Sequence, residues 1–285
     1  MLGKFRIAEI AGLVRQSNPL IQCITNFVTV NDCANIILAF GGTPVMADVI
    51  DEVTEFTDIS NGVNINLGAM VPQIIKADFI AGKHANNLNI PVTFDPVGVG
   101  ASKLRNDTAT RLLNEVKFAA IRGNMSEMKV LTTGWGKTKG VDVSQCDVIT
   151  ESNWIDKGKL LCEYATSLGT VLAASGSIDI VTDGKSICGI KNGSSKMARI
   201  TGSGCMLTSV LCLWIATARM NPSLQISDFE ATVAAIATYG VCGEIADEKT
   251  IEKHGGSLTF RTELIDAASL VLPEVLANRV RIDFV

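Results

Sequence analysis

RITGSGCMLTSVLCLWIATA, Arg199 to Ala218, sets a glycine-rich turn directly against an apolar run with helical spacing. Met206, Leu207, Val210, Leu211, Trp214 and Ile215 recur at three- and four-residue intervals, which predicts a helix with one broad buried face. Gly202 and Gly204 can take backbone angles closed to other residues, so the N–H groups of Ser203, Gly204 and Cys205 can converge on one point. First-turn N–H groups lack intrahelical partners, and the helix dipole adds partial positive charge at the same end. Phosphate suits that place. A glycine pair alone would read as a tight turn before a core helix. The thiol of Cys205 in the first turn, together with the motifs upstream, favours an anion hole at Ser203, Gly204 and Cys205.

Working back from this stretch, strands alternate with helices, and each strand ends in polar or glycine residues. After a short amphipathic first helix, Pro19–Thr25 reads as a buried strand, and Asn26 leads into VTVNDCANIILAF, a helix stopped by Gly41-Gly42. Thr43–Asp48 is a strand candidate with Met46 and Asp48 near its C-terminal end, although methionines at such places are often simply core. VNINLG (63–68) and PVTFDPVGVG (91–100) are strands separated by a helix, and Asp95 at the second strand's end is equally a loop cap or a magnesium-linked carboxylate. Phe118–Asn124 is the next strand. It delivers Arg122, Asn124 and Glu127 within six residues: a phosphate ligand, a hydrogen-bonding amide and a metal-side acid. Asn124 and Glu127 also spell a capping box.

Thr170–Gly176 is a strand with Ser175 at its tip. IDIVTDG, SICGIKNG and the run to Ile200 read as edge strands joined by Asp-Gly and Asn-Gly turns. The remainder reads as helices and a short tail, RIDFV. Two decoys fail. Gly98-Val99-Gly100 lacks the third glycine of a dinucleotide fingerprint. Gly136-Lys137-Thr138 has no P-loop glycine at the required offset, Leu131, and no strand feeding it. It reads instead as an exposed loop through TKGVDVSQCD. No linker or internal repeat divides the chain, so residues 1–285 read as one doubly wound α/β domain.

Composition narrows the class. The chain has 285 residues, 47% of them hydrophobic, enough for a sizeable core. A net charge of −4 without any Lys/Arg cluster argues against a nucleic-acid partner. The eight cysteines show neither CxxC pairs nor regular spacing, and His84 and His254 lie outside any metal motif, so reduced thiols are expected. Residues 1–16 carry Lys4, Arg6 and Glu9 within the apolar pattern, and no apolar helix reaches the roughly 20 residues that span a bilayer. A soluble, cytoplasmic protein with no membrane partner is expected.

These strand ends would share one edge of a sheet, which is the equipment for phosphoryl transfer. The chain resembles the hydroxyethylthiazole kinases of thiamine salvage over nearly its whole length. The resemblance runs from NFVTVNDCANIILAFGGTPVM through DPVGVGAS, RGNMSEMKVL, KGVDV and ASGSIDIVTDG to TGSGCMLTS. It implies a ribokinase-like three-layer αβα sandwich with a mostly parallel central sheet. It also implies ATP-dependent phosphorylation of 4-methyl-5-(2-hydroxyethyl)thiazole with Mg2+, in a homotrimer with its sites between subunits. It places ATP contacts at Arg122, Ser175 and Asn124, magnesium-side acids at Asp95 and Glu127, and thiazole contacts at Met46, Gly202 and Asn26. The loop around Trp135–Thr138 is longer than usual for the family. Ribokinase-like enzymes normally carry an aspartate base where this chain has Cys205, so Cys205 is expected to be a largely neutral thiol that orients the substrate hydroxyl. A helix end would lower its pKa by about one unit, and nearby phosphate charge would oppose that. Rival expectations are another vitamin-alcohol kinase, acting on hydroxymethylpyrimidine or pyridoxal, and a nucleotide- or thiazole-binding protein without turnover.

Overall fold

The computed structural model describes residues 2–133 and 147–285, so the loop around Trp135–Thr138 and the Gly136-Lys137-Thr138 decoy lie outside the described residues. The first half of the chain runs α1 (Lys4–Ser17), β1 (Leu20–Ile24), α2 (Val30–Ala39), β2 (Thr43–Val45), α3 (Val53–Ile59), β3 (Gly62–Asn66), α4 (Pro72–Asn87) and β4 (Val92–Asp95). It continues through α5 (Lys103–Glu115), β5 (Ala120–Asn124), α6 (Met125–Thr133), α7 (Trp154–Leu168), β6 (Val171–Ser175), β7 (Asp179–Thr182) and β8 (Ile187–Ile190). The last part is α8 (Ser203–Met220), α9 (Asp228–Glu252), α10 (Ser257–Leu270), α11 (Pro273–Arg279) and β9 (Ile282–Phe284).

The nine strands among the described residues join one sheet in the order β2-β1-β3-β4-β5-β6-β7-β8-β9. Pairing is parallel from β2 to β6 and antiparallel from β6 to β9. β3 and β4 are buried at every residue, as strands covered by helices on both faces must be. Alternation along a strand sends side chains into two separate cores. Ala173, Val181 and Cys188 pack in the core that includes α1, α2, α8, α9 and α10. Leu172, Ala174, Ile180 and Ile187 pack in the core that includes α4, α5, α6 and α7. The result is the expected three-layer αβα architecture.

Four elements differ from the sequence expectation. The 43–48 strand ends at Val45, so Met46 and Asp48 lie in the loop beyond it. The Asp183-Gly184 turn does join β7 to β8, with Asp183 Oδ1 accepting from the N–H groups of Lys185 and Ser186. Asn192-Gly193, however, makes no hairpin, and the run to Ile200 contains a 3₁₀ helix at Ser195–Arg199 instead of a strand. The Asn192 side chain donates to the carbonyl of Arg279 at 2.9 Å and accepts from the N–H of Arg281 at 2.7 Å. It thereby pins the tail RIDFV, which becomes β9 and occupies the place beside β8. α8, finally, is buried without a break from Met206 to Ala218, not along one face. Its length and apolar composition would match a membrane span, but it is enclosed by α2, α9 and the sheet, with Trp214 edge-on to Phe40 at 4.8 Å.

One side chain works against this packing. Asp78, on the buried face of α4, is fully inaccessible, and among the described residues neither carboxylate oxygen has a hydrogen-bond partner. Burial, with Asp48 nearby, pushes its pKa well above the usual carboxylate range. The folded state therefore holds a proton that the unfolded chain releases, so this group's contribution to stability falls as pH rises above the unfolded pKa, about 3.9. Asp78→Asn should raise stability at pH 7 by about 1–3 kcal/mol and flatten its decline between pH 4 and 7, read by urea denaturation at several pH values. An unchanged pH slope would show that Asp78 is ionised and paired in solution.

Candidate active site

Five parallel strands end along one edge and carry the polar residues with them. Asn26 follows β1, Asn66 ends β3, Asp95 ends β4, Asn124 ends β5 and Ser175 ends β6. Register places Asn66 opposite Asp95 and Asn124 opposite Ser175. α8 begins at the same edge, and Thr208 in its second turn donates to Asp95 Oδ2 at 2.9 Å. The N-cap Gly202 has φ +81°, and a Cβ there would meet Thr29 Cγ2 at 2.5 Å. Glycine is required twice over. Gly204 is constrained by Arg122, whose Nη1 occupies the space a Cβ would need.

Arg122 is therefore seated at the N-terminus of α8, where the anion hole was expected. Its Nε and Nη2 both donate to Ser175 Oγ, at 3.0 and 2.6 Å. Three carboxyl groups interact electrostatically with this guanidinium. Burial raises the pKa of Asp95, while Arg122, Thr208 and Asn66 favour its ionised form. Burial and then Asp95 push Glu127 up to about 7. Burial pushes Asp179 up to about 6, against the pull of the Gly176 N–H and Arg122.

The capping box at Asn124 and Glu127 is present. Asn124 Oδ1 accepts from the N–H of Glu127 at 2.9 Å, and Glu127 Oε2 accepts from the N–H of Asn124 at 2.8 Å. Glu127 Oε1 also accepts from the N–H of Gly98 at 2.9 Å, so this one carboxylate ties the β4–α5 loop to the start of α6. That loop is held from its other side by Arg105, which donates to the carbonyl oxygens of Leu67, Val97 and Gly68.

Cys205 lies in the first turn of α8, partly buried, and its sulfur accepts from Asn26 Nδ2 at 3.5 Å. The same amide donates to Asn66 Oδ1 at 3.1 Å, and Asn66 Nδ2 donates to Asp95 Oδ2 at 3.1 Å. A continuous polar chain thus runs from the thiol to the carboxylate. Burial, then Asp95 and Cys33, push the thiol up to about 12. Burial outweighs the modest lowering expected from the helix end, and the thiol is neutral at physiological pH.

The site gathers Asn26, Asp95, Arg122, Asn124, Glu127, Ser175 and the residues Gly202, Ser203, Gly204 and Cys205. Met46 follows β2 at the margin of the sheet, one strand from β1 and Asn26 and three strands from β4. Its loop is fixed from below by the fully buried Gln22, which donates to the carbonyls of Ala47 and Val53 and accepts from Thr57 Oγ1. Sequence reading missed Asp179, Asn66, Thr208 and Gln22. Only Asn66, at a strand's C-terminal end, carried a signal that could have marked it.

Among the described residues no group of three His, Cys, Asp or Glu side chains is placed to hold a metal ion. Magnesium is commonly bound through one or two carboxylates plus substrate phosphates, so the fit is tested on the individual acids. Asp95 fits such a role because both side-chain donors fall on Oδ2, leaving Oδ1 to face a ligand. Glu127 fits it less directly, since each of its oxygens already receives a backbone N–H.

The sequence profile of the hydroxyethylthiazole kinase family matches residues 12–274. A hydroxyethylthiazole kinase of Clostridium acetobutylicum is 45% identical over 253 residues, covering 89% of this chain and 90% of the relative. One from Methanobrevibacter smithii is 40% identical over 284 residues, 98% of this chain and 96% of the relative. The solved hydroxyethylthiazole kinase protein of Pyrococcus horikoshii superposes with a TM-score of 0.83 at 28% identity, covering 98% of each chain. A ribokinase-like superfamily protein of Enterococcus faecalis shares the fold at a TM-score of 0.56 and 9% identity, over 91% of this chain and 95% of that one. With its ribokinase-like fold and this match along most of its length, the chain belongs to the hydroxyethylthiazole kinase family.

Proposed function

We propose that this protein transfers the γ-phosphoryl group of ATP to the side-chain hydroxyl of 4-methyl-5-(2-hydroxyethyl)thiazole, a step of thiamine biosynthesis and salvage. The observation that carries this reading is the Arg122 guanidinium seated at the N-terminus of α8. A full positive charge and a helix end converge there on one point, which suits a polyphosphate and little else.

In this reading Arg122 and the N–H groups of Ser203, Gly204 and Cys205 bind phosphate oxygens and stabilise charge as it spreads over the transferred group. Ser175 holds Arg122, and Asn124 lies beside them at the end of β5. Asp95 and Glu127 are the acids that would hold a magnesium ion, which would supply positive charge to neutralise the phosphates. Cys205, neutral and held by Asn26, orients the substrate hydroxyl and takes its proton only weakly. A loose transition state asks little of a base. Gly202 and Asn26 border the acceptor side. All seven cysteines among the described residues are free thiols, which suits a reducing cytoplasm.

The working unit in this reading is a homotrimer with sites between subunits. One feature supports it. Phe27, Val28 and Val49, on loops that follow β1 and β2, are 69%, 70% and 55% exposed, an apolar surface beside Asn26 and Met46 that a second copy would cover. Light scattering should give three times the chain mass, and Phe27→Asp should lower both mass and turnover. A fully active monomer would contradict the arrangement.

Turnover is tested by ADP release with ATP, magnesium and the thiazole alcohol, beside hydroxymethylpyrimidine, pyridoxal and no-acceptor controls. ADP release should require the thiazole. In the same assay Cys205→Ala should lower kcat only partly, by about ten- to a hundredfold, and Cys205→Asp should preserve or raise it. Release driven only by another alcohol would replace the substrate, and a complete loss in folded Cys205→Ala would make the thiol an essential base.

A further inference from the structure

Asp179 opens β7, and nothing in the phosphate-binding arrangement above requires it. Its Oδ1 accepts from the N–H of Gly176 at 3.0 Å, which closes the turn between β6 and β7 directly after Ser175. Ser175 Oγ receives two hydrogen bonds from Arg122, through Nε and Nη2, leaving the hydroxyl hydrogen as its only remaining donor. Through the Gly176 N–H the Asp179 carboxylate is held beside the Ser175–Arg122 pair, and both residues favour its ionised form. The remaining guanidinium nitrogen, Nη1, is the one that lies against Gly204.

We infer that Asp179 is the positioning residue of the nucleotide site: its carboxylate orients the Ser175 hydroxyl, which holds the Nε–Nη2 edge of Arg122 so that Nη1 points at the first turn of α8. The inference rests on the reading of Arg122 as a phosphate ligand. A serine hydroxyl that accepts two bonds from a cation is a rotor, and without an acceptor for its own hydrogen it has no fixed orientation. The negative charge also offsets the cation while the phosphate site is empty, so Arg122 is held in place before nucleotide arrives. Preorganisation of this kind acts on nucleotide binding and leaves the acceptor pocket alone.

Asp179→Asn separates the charge from the turn, because the asparagine carbonyl can still accept the Gly176 N–H. Titration with a non-hydrolysable ATP analogue should show affinity falling by about tenfold, the loss expected for one charge-assisted hydrogen bond. KM for ATP should rise in parallel, with KM for the thiazole alcohol and the melting temperature unchanged. Ser175→Ala should weaken binding similarly, and the double variant should be no worse than either single one, since both act through Arg122. Unchanged affinity in Asp179→Asn, or additive losses in the double variant, would overturn the inference while the kinase reading stands. A wild-type protein that binds the analogue but transfers no phosphate would overturn the kinase reading and leave the affinity comparison to decide the role of Asp179. A wild-type protein that binds no nucleotide would overturn both.

Discussion

A guanidinium pressed against the positive end of a helix is the constraint around which the functional half of this fold is arranged. Arg122 Nη1 fills the space beside Gly204, so a cation and a helix N-terminus share one point. By themselves they repel. At equal distance, a whole carboxylate charge outweighs the roughly half charge at a helix end, and Asp95, Glu127 and Asp179 all act on this arginine. Each of those carboxyls is pushed up by burial, so each is also stabilised by the cation it neutralises. Bound phosphate would satisfy the same positive charges from the solvent side.

Holding such charges requires a rigid frame, and α8 provides it. A helix buried from Met206 to Ala218 cannot tilt without disturbing its neighbours α2 and α9 and the sheet, so its first turn stays aligned with the strand ends. Polar bonds extend the alignment outward. Thr208 ties the second turn to Asp95, the Asn26–Asn66 pair links Asp95 to Cys205, and Glu127 joins two loops through three backbone and side-chain bonds. The cost of burying the thiol is its acidity. Cys205 is held too deeply and too near Asp95 to ionise, which leaves orientation of the hydroxyl as its natural contribution.

How much of this was legible in the sequence depended on whether local pattern and tertiary context agreed. Strands β1, β3, β4, β5 and β6 and the N-terminus of α8 were readable because apolar runs ending in glycine, asparagine or aspartate mark both the strand and the chemistry at its end. The Asn124–Glu127 capping box was readable for the same reason. The third hairpin strand was not, because Asn192 spends its side chain on the backbone of residues 279 and 281 and thereby draws the C-terminal tail to the sheet. No local signal in RIDFV reveals a partner so far along the chain. The short helices α3 and α11, of seven residues each, are too brief to carry a period. Asp179 reads locally as an ordinary turn residue, and only the folding of β6 against β5 sets Ser175 and Arg122 beside it. Met46 was readable as a strand-end residue, but not its separation from the phosphate end, which follows from strand order.

Gly204→Ala tests the central claim most directly, because the added methyl enters the space of Arg122 Nη1 while alanine is the better helix former. Calorimetric titration of wild type and variant with a non-hydrolysable ATP analogue and magnesium, alongside circular dichroism, separates binding from folding. The account predicts an intact helical spectrum with nucleotide affinity reduced by at least about tenfold, since both the cation and the first-turn N–H groups are displaced from their common point. A folded Gly204→Ala protein that binds the nucleotide as tightly as wild type would contradict it, and would remove Arg122 and the α8 N-terminus from the phosphate site.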